Sequence, residues 1–211
     1  LRKNSDRSNV CMLLARFPPV VSGAGRQALT LAKALRQNGV QTFVVTSGTT
    51  NTSRFEYVEG VPVHRVGAIG SGRLWAYCWA FLLLGLLFRK RAEYDILHIH
   101  GANIWAIPSA LFARLSGKRI VVKITGYGQD DPVHLARETF GSFKCRLFKW
   151  ADITISISSL ITESYKSMAF PKAKLHRIPN CVDVNRFAPS VNHDEKMRLR
   201  ESLGLANDRT L

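Results

Sequence analysis

The sequence predicts an α/β fold, a doubly wound, mostly parallel sheet of about seven strands with helices on both faces. Three observations carry this expectation. Short β-rich runs alternate with helical patterns along the chain, an order that calls for parallel strands joined by right-handed crossovers. The runs are almost continuously apolar, as strands covered on both sides must be. Finally, 211 residues with 46% hydrophobic side chains are enough for one sizeable core.

Each element has its own signal. The strand-like runs are Val10–Ala15, Gln41–Thr46, Val61–Val66, Ile96–His100, Ile120–Thr125, Ile153–Ser156 and Leu175–Ile178, mostly four to six residues long and either β-branched-rich or alternating. Between the first two, residues 24–38 place Ala28, Leu31, Ala32 and Leu35 on one helical face and Arg26, Lys33 and Arg36 on others, and the pattern stops at Gly39. Phe140, Phe143, Leu147 and Trp150 recur at helical spacing, as do Ile161, Tyr165 and Met168. Residues 1–189 read as one domain. Residues 190–211, polar and charged with one helical stretch, read as a linker leading into a further domain.

Thirty Lys and Arg against fifteen Asp and Glu give a net charge of +15, a field that attracts phosphate-bearing substrates, anionic membranes or nucleic acid. The basic residues are spread along the chain and no recognised nucleic-acid motif is present, so no specific nucleic-acid partner is expected. The four cysteines (Cys11, Cys78, Cys145, Cys181) lie far apart without a CxxC pair, which reads as reduced, buried thiols in a reducing, cytoplasmic compartment. The chain opens on Leu1 with no signal-peptide pattern, and is expected to be a fragment.

Residues 74–88 (LWAYCWAFLLLGLLF) carry no charge and are bracketed by Arg73 and Arg89-Lys90-Arg91. As a helix they would span roughly 22 Å, short of a ~30 Å hydrocarbon core. Two readings stay open: a helix packed on the sheet, or a peripheral membrane contact over Leu74–Arg91. In the second, Trp75, Tyr77 and Trp79 lie at the interface and the basic cluster meets lipid phosphates.

Four stretches could carry chemistry. In the turn after the first strand, Arg16 to Arg26, the glycines Gly23 and Gly25 let backbone approach a ligand, and the following helix offers N–H groups to an anion. The spacing is not the dinucleotide fingerprint, because the third Gly is absent. In Asp95-Ile96-Leu97-His98-Ile99-His100-Gly101, the two histidines share a strand face. His98 reads as a hydrogen-bonded core residue, while His100 and Gly101 stand at the carboxyl end where crevice residues belong. Thr125-Gly126 closes a later strand and is followed by Gln129-Asp130-Asp131-Pro132, which reads as a solvated loop. Ile178-Pro179-Asn180-Cys181-Val182-Asp183 forms a turn, followed by Phe187 and Pro189, with Asn180 and Asp183 in a structural, hinge-like role. No metal site is expected, since no third ligand accompanies the histidines.

In this order the four stretches resemble family 4 glycosyltransferases of the GT-B fold, and the resemblance runs from Val10 to about Leu205. Members carry a Pro and then a Gly-Gly pair, which Phe17-Pro18-Pro19 and Ser22-Gly23 match with Ser22 for the first Gly; Val40 replaces a His after Gly39. They also show Asp-x-x-His-x-His, and often His-Gly where this chain has Thr125-Gly126. They usually have Gly at the position of Cys181. The resemblance implies the N-terminal, Rossmann-like, acceptor-side half of a GT-B fold. It implies a retaining, hexosyltransferase-like enzyme that moves a sugar from a nucleotide-sugar donor to a saccharide or lipid-linked acceptor, without a metal or other cofactor. The main charge partners of the donor are then expected in a second domain, so that this chain alone is inactive. Ser22, Gly23, Ala24, Gly25, His100, Gly101, Thr125 and Gly126 would face the substrates. The competing reading is a non-catalytic Rossmann-like subunit that docks a partner chain carrying the donor site at a membrane.

Overall fold

The computed structural model describes residues 8–205 except 69, 71, 104, 139, 185, 186 and 188–191; the side chains of Ala68 and Arg73 are likewise not described. Pro189, which ends the first predicted domain, lies outside the described residues. The chain divides into two compact units, Leu1–Asn180 and Cys181–Leu211.

In the first unit the order is β1 (Val10–Leu13), α1 (Gly23–Gln37), β2 (Thr42–Gly48), β3 (Phe55–Val58), β4 (Val61–Ala68), α2 (Gly72–Arg89), β5 (Ile96–His100), α3 (Ala106–Leu115), β6 (Arg119–Lys123), α4 (Pro132–Arg137), α5 (Gly141–Phe148), β7 (Ile153–Ser156), α6 (Ser159–Ser167) and β8 (Leu175–Arg177). The strands form one eight-stranded sheet in the order β3-β4-β2-β1-β5-β6-β7-β8. All neighbours are parallel except β3 and β4. The chain therefore winds outward from β1 through β2 and β4, then returns to lay β5 on the other side of β1.

The sheet is a doubly wound α/β sheet with one strand more than the seven predicted. β3 and β4 form a hairpin over Glu59-Gly60, and both turn residues have positive φ, 47° and 80°. That is the backbone of a primed two-residue turn, which Asn-Gly usually signals and Glu-Gly announces poorly. Glu59 accepts hydrogen bonds and charge from Lys33 at 2.6 Å, which holds the hairpin tip against α1.

The sheet is buried on both faces. Met12, Leu14, Val44, Val61 and Val63 pack against Ala28, Leu29 and Ala32 of α1. The opposite face takes Cys11, Leu13, Val45, Leu97 and Ile99 against residues of α2, α3, α5 and α6. Alternate residues of one strand thus serve opposite cores, which is why the strands read as continuous apolar runs.

Helix α2 resolves the two readings of its apolar sequence into two faces. Trp79, Leu83 and Leu87 are buried, with Trp79 donating its ring N–H to the Val66 carbonyl at 2.7 Å. Trp79, at 1% exposure, is therefore a core residue and not an interfacial one. The other face leaves Leu74, Tyr77, Phe81, Leu82 and Phe88 exposed. Among the described residues no helix is long and apolar enough to cross a membrane. The cysteines also divide: Cys11 and Cys145 are buried thiols as expected, but Cys78 and Cys181 are exposed.

Two further expectations shift. Of the Phe140, Phe143, Leu147, Trp150 series, only Phe143 and Leu147 lie within α5, and Leu147 alone is buried. In the turn after β8, Asn180 and Cys181 are exposed without left-handed backbone, so Cys181 bears no conformational strain there. In the second unit Phe187 donates its N–H to the Asp183 carbonyl at 3.0 Å. That unit then forms α7 (His193–Ser202), capped by Asn192 and closed by Gly204 at φ 66°.

Candidate functional site

Strand β1 is the pivot of the sheet: its neighbours β2 and β5 belong to the two halves of the winding, so the loops after β1 and β5 diverge and leave a crevice at their carboxyl ends. A cleft of about 330 Å³ occupies this position. Its lining includes Arg16, Ser22, Ala24, Ser47, His100 and Thr125, contributed by the ends of β1, β2, β5 and β6 and the start of α1.

The loop into α1 is built for close approach. Ser22 is the N-cap: its Oγ accepts from the Gly25 N–H at 2.9 Å and its carbonyl accepts from Arg26 N at 3.0 Å. The N–H groups of Gly23 and Ala24 lie before any helix carbonyl can reach them, so they point a positive helix end toward the crevice. A side chain at Gly25 would sit 2.7 Å from the Arg16 carbonyl and 3.3 Å from Ser22 Oγ, whereas one at Gly23 would meet nothing. Gly25 is therefore required for packing the helix against the turn; Gly23 keeps space open. The buried Arg65 of β4 fixes the same loop, donating to the Pro18 carbonyl and pairing with Glu56.

On the β5 side, His100 is 3% exposed, and neither ring nitrogen has a hydrogen-bond partner in the protein. His98 is also buried, its ring 4.2 Å from that of His100, and its Nε2 lacks a partner too. His98 is thus a core histidine whose Nε2 is not hydrogen-bonded, contrary to expectation. Burial first, and then the charge of Lys123, push the His98 pKa down to about 3. Burial, His98 and Lys123 hold His100 well below its ordinary value. Both rings are neutral imidazoles at physiological pH, able to donate and to accept.

Gly101 follows with φ 92°, a conformation that suits glycine. Space there is tight as well, since an added Cβ would lie 3.2 Å from Asn103 and 3.3 Å from Asp130. Asp130 accepts from the Thr125 hydroxyl at 3.0 Å and from the Gly126 N–H at 2.8 Å. Asp131, at 0% exposure, accepts from Gly128 N, Ser164 Oγ and His134 Nδ1. Burial alone would raise the Asp131 pKa, but those hydrogen bonds outweigh it and hold it below the ordinary carboxylate range. The Gln129–Pro132 stretch is therefore an internally tied loop that positions Thr125 and Gly126, not a solvated one. The hydroxyl of Thr125 already serves Asp130, which leaves its lone pairs as the group it can offer to a ligand.

The structure thus brings Ser22, Ala24, His100 and Thr125 to one cleft, whereas Gly23, Gly25, Gly101 and Gly126, their neighbours in sequence, are not among its lining residues. Asn180 and Asp183 are not among its lining residues. Sequence reasoning missed Asn103, Trp105, Ser47 and the role of Trp75. Trp75 stacks on Trp79 at 5.6 Å, and Trp79 meets Trp105 edge-on at 5.1 Å. Trp105, just past the end of β5, was the legible signal, because crevice residues follow such strand ends.

The family model for Glycosyltransferase Family 4 matches residues 21–186, from the Gly23 loop to the turn after β8. The chain belongs to that family. No curated protein sequence matches it. Among solved structures it is similar to Anabaena Alr3699/HepE in complex with UDP and glucose, with 15% identity and a TM-score of 0.66 over 94% of this chain and 50% of that one. It is also similar to UDP-N-acetylglucosamine 2-epimerase from Rickettsia bellii (12%, TM-score 0.62, 95% and 52%). A third is the lipopolysaccharide outer core galactosyltransferase WaaB in its apo form (10%, TM-score 0.60, 83% and 46%). At these identities the likeness is one of fold, and this chain spans about half the length of each.

The two buried histidines make a pH test. A depressed folded pKa means that the unfolded chain binds more protons, so the associated stability is complete above about pH 6.5 and declines as pH falls toward 3. Below pH 6.5 each such histidine is expected to cost about 1.4 kcal/mol per pH unit, while Asp131 acts in the same direction only below about pH 4. Chemical denaturation between pH 6.5 and 4.5 should show this slope, reduced in His98→Gln; a flat wild-type profile would contradict the burial of neutral rings.

Proposed function

We propose that the crevice holds the acceptor of a glycosyltransferase that uses a nucleotide-sugar donor, a UDP-sugar by analogy with the ligand of HepE. The observation that carries this is His100, a buried neutral imidazole with two unpartnered nitrogens on the wall of a cleft at the strand-order reversal. A hydroxyl placed there satisfies a ring nitrogen otherwise left at a cost of about 1–3 kcal/mol. In the transfer, the bond from the anomeric carbon to the diphosphate oxygen breaks with its electron pair leaving on the diphosphate. The acceptor oxygen forms the new glycosidic bond, and its proton passes to the departing phosphate or to solvent.

We take the reaction to be a hexosyl transfer that retains anomeric configuration. Negative charge then grows on the leaving diphosphate, where N–H dipoles at Gly23 and Ala24 and the Arg16 guanidinium would lower the barrier. The donor's main partners would lie beyond these 211 residues, closing over the cleft to exclude water. On this reading turnover survives chelation of metals with EDTA.

The reading also includes peripheral membrane contact through Leu74–Arg91. Its support is the exposed apolar face of α2 next to Arg89, Lys90 and Arg91, with the Arg91 guanidinium 4.2 Å above the Phe88 ring. Cosedimentation with phosphatidylglycerol vesicles should be salt-sensitive and largely lost in Phe81→Asp; equal binding by that variant would remove this part of the reading.

The activity test uses the protein as its gene encodes it, a panel of radiolabelled nucleotide-sugars, and total lipid and saccharide extracts as acceptors. Transfer is expected, with kcat/KM reduced at least a hundredfold in His100→Ala, and none from the 211 residues alone. Two-epimerisation of UDP-N-acetylglucosamine without transfer, or full activity in His100→Ala, would overturn the assignment.

A further inference from the structure

Beside the polar crevice lies a second, larger cavity of about 1090 Å³, bounded by α2, the segment before α3, and α5. Its walls include Trp75, Tyr77, Trp105, Ile107, Phe140 and Phe143. Gly70, Trp75, Asn103 and Trp105 line both cavities, so the two adjoin across these residues. Resting on the transferase reading above, we propose that this groove holds the aliphatic chain of a lipid-linked acceptor whose polar head lies in the crevice.

The chemistry of the two cavities selects an amphiphile. The crevice offers Arg16, Ser22, Ser47, His100 and Thr125 to a polar head. The groove is lined chiefly by apolar and aromatic side chains; a saccharide there would bury hydroxyls with few partners, which is unfavourable. Its volume also stands at the upper end of small-ligand sites, more than one sugar ring needs. The net charge of +15, with Arg137 on the groove wall, favours an anionic amphiphile over a neutral one, while Lys144 there is already paired with Glu138 at 2.6 Å.

The groove rim is also maintained against ordinary folding preference. Phe140 is 76% exposed and held at φ 59°, a left-handed conformation that a bulky residue adopts only under constraint. Phe143, one turn on, is 57% exposed. Two phenyl rings thus stand in solvent beside Trp75 and Tyr77, where an aliphatic chain would cover them.

The test titrates the protein as its gene encodes it with n-alkyl phosphates from four to twelve carbons, below their micellar concentrations, reading tryptophan fluorescence from Trp75, Trp79 and Trp105. Saturable binding is expected to strengthen up to about fourfold per methylene until the groove is filled, while inorganic phosphate binds weakly and without that change. Phe143→Asp, an exposed site whose fold is checked by circular dichroism, should weaken dodecyl phosphate at least tenfold and leave inorganic phosphate unaffected. Affinity independent of chain length would overturn the proposal. So would unchanged dodecyl phosphate binding by Phe143→Asp together with loss of vesicle binding, which would make this face a membrane contact only. The readout needs no turnover: chain-dependent binding without transfer to any acceptor sinks the transferase reading alone. Transfer to short acceptors without chain-dependent binding sinks the groove alone.

Discussion

The pairing of β5 with β1, on the side of β1 opposite β2, is the constraint on which the rest of the structure depends. Register sets it residue by residue, Val10 with Ile96 and Leu13 with Ile99 on one side, Val10 with Thr42 and Leu13 with Val45 on the other. Each of these strands must bury both faces, so a slip by one residue would turn Met12 and Leu14 out of one core and Cys11 and Leu13 out of the other. With the register held, the loops leaving β1 and β5 have to part, and the cleft follows from topology. The Ser22 cap, the contact glycine Gly25 and the Arg65 bond to Pro18 then hold one lip of it. The Asp130 and Asp131 hydrogen bonds hold the other.

Much of this was legible in sequence because it rests on local rules. The parallel strands announced themselves as short apolar runs, and Gly39 marked the end of α1, while its start at the Ser22 cap was not read. His100 could be placed at a strand end by counting alone. What was not legible depended on tertiary context. The hairpin strand β3 hid behind a Glu-Gly turn whose first residue accepts an unfavourable φ with Lys33 as its partner. Asp131 looked like a loop carboxylate because nothing in its neighbours shows that Ser164, 33 residues away, donates to it. Trp79 and Tyr77 are two residues apart in an uncharged run, and only the packing of α2 decides that one is core and the other surface.

The uniformly apolar sequence of α2 has a physical sense in this arrangement. A helix that only covered a sheet would carry polar residues outward. Here the inner face packs on β4 and α3, while Tyr77, Phe81 and Leu82 remain outward and Trp75 and Tyr77 wall the groove. One helix thereby contributes to the core, to the cavity beside the crevice and to an exposed apolar face. The Trp75–Trp79–Trp105 cluster joins these, since its rings are simultaneously core and cavity wall.

The central claim is that ligand binding takes place at the β1–β5 reversal and engages His100. The most direct measurement is the imidazole 15N spectrum of the protein titrated with UDP-glucose and with octyl glucoside. If the account holds, the nitrogens of the His100 ring, which burial keeps neutral at physiological pH, shift on saturation while the exposed His176 and His193 stay in place. A His100 signal unmoved by either compound at saturating occupancy would contradict it.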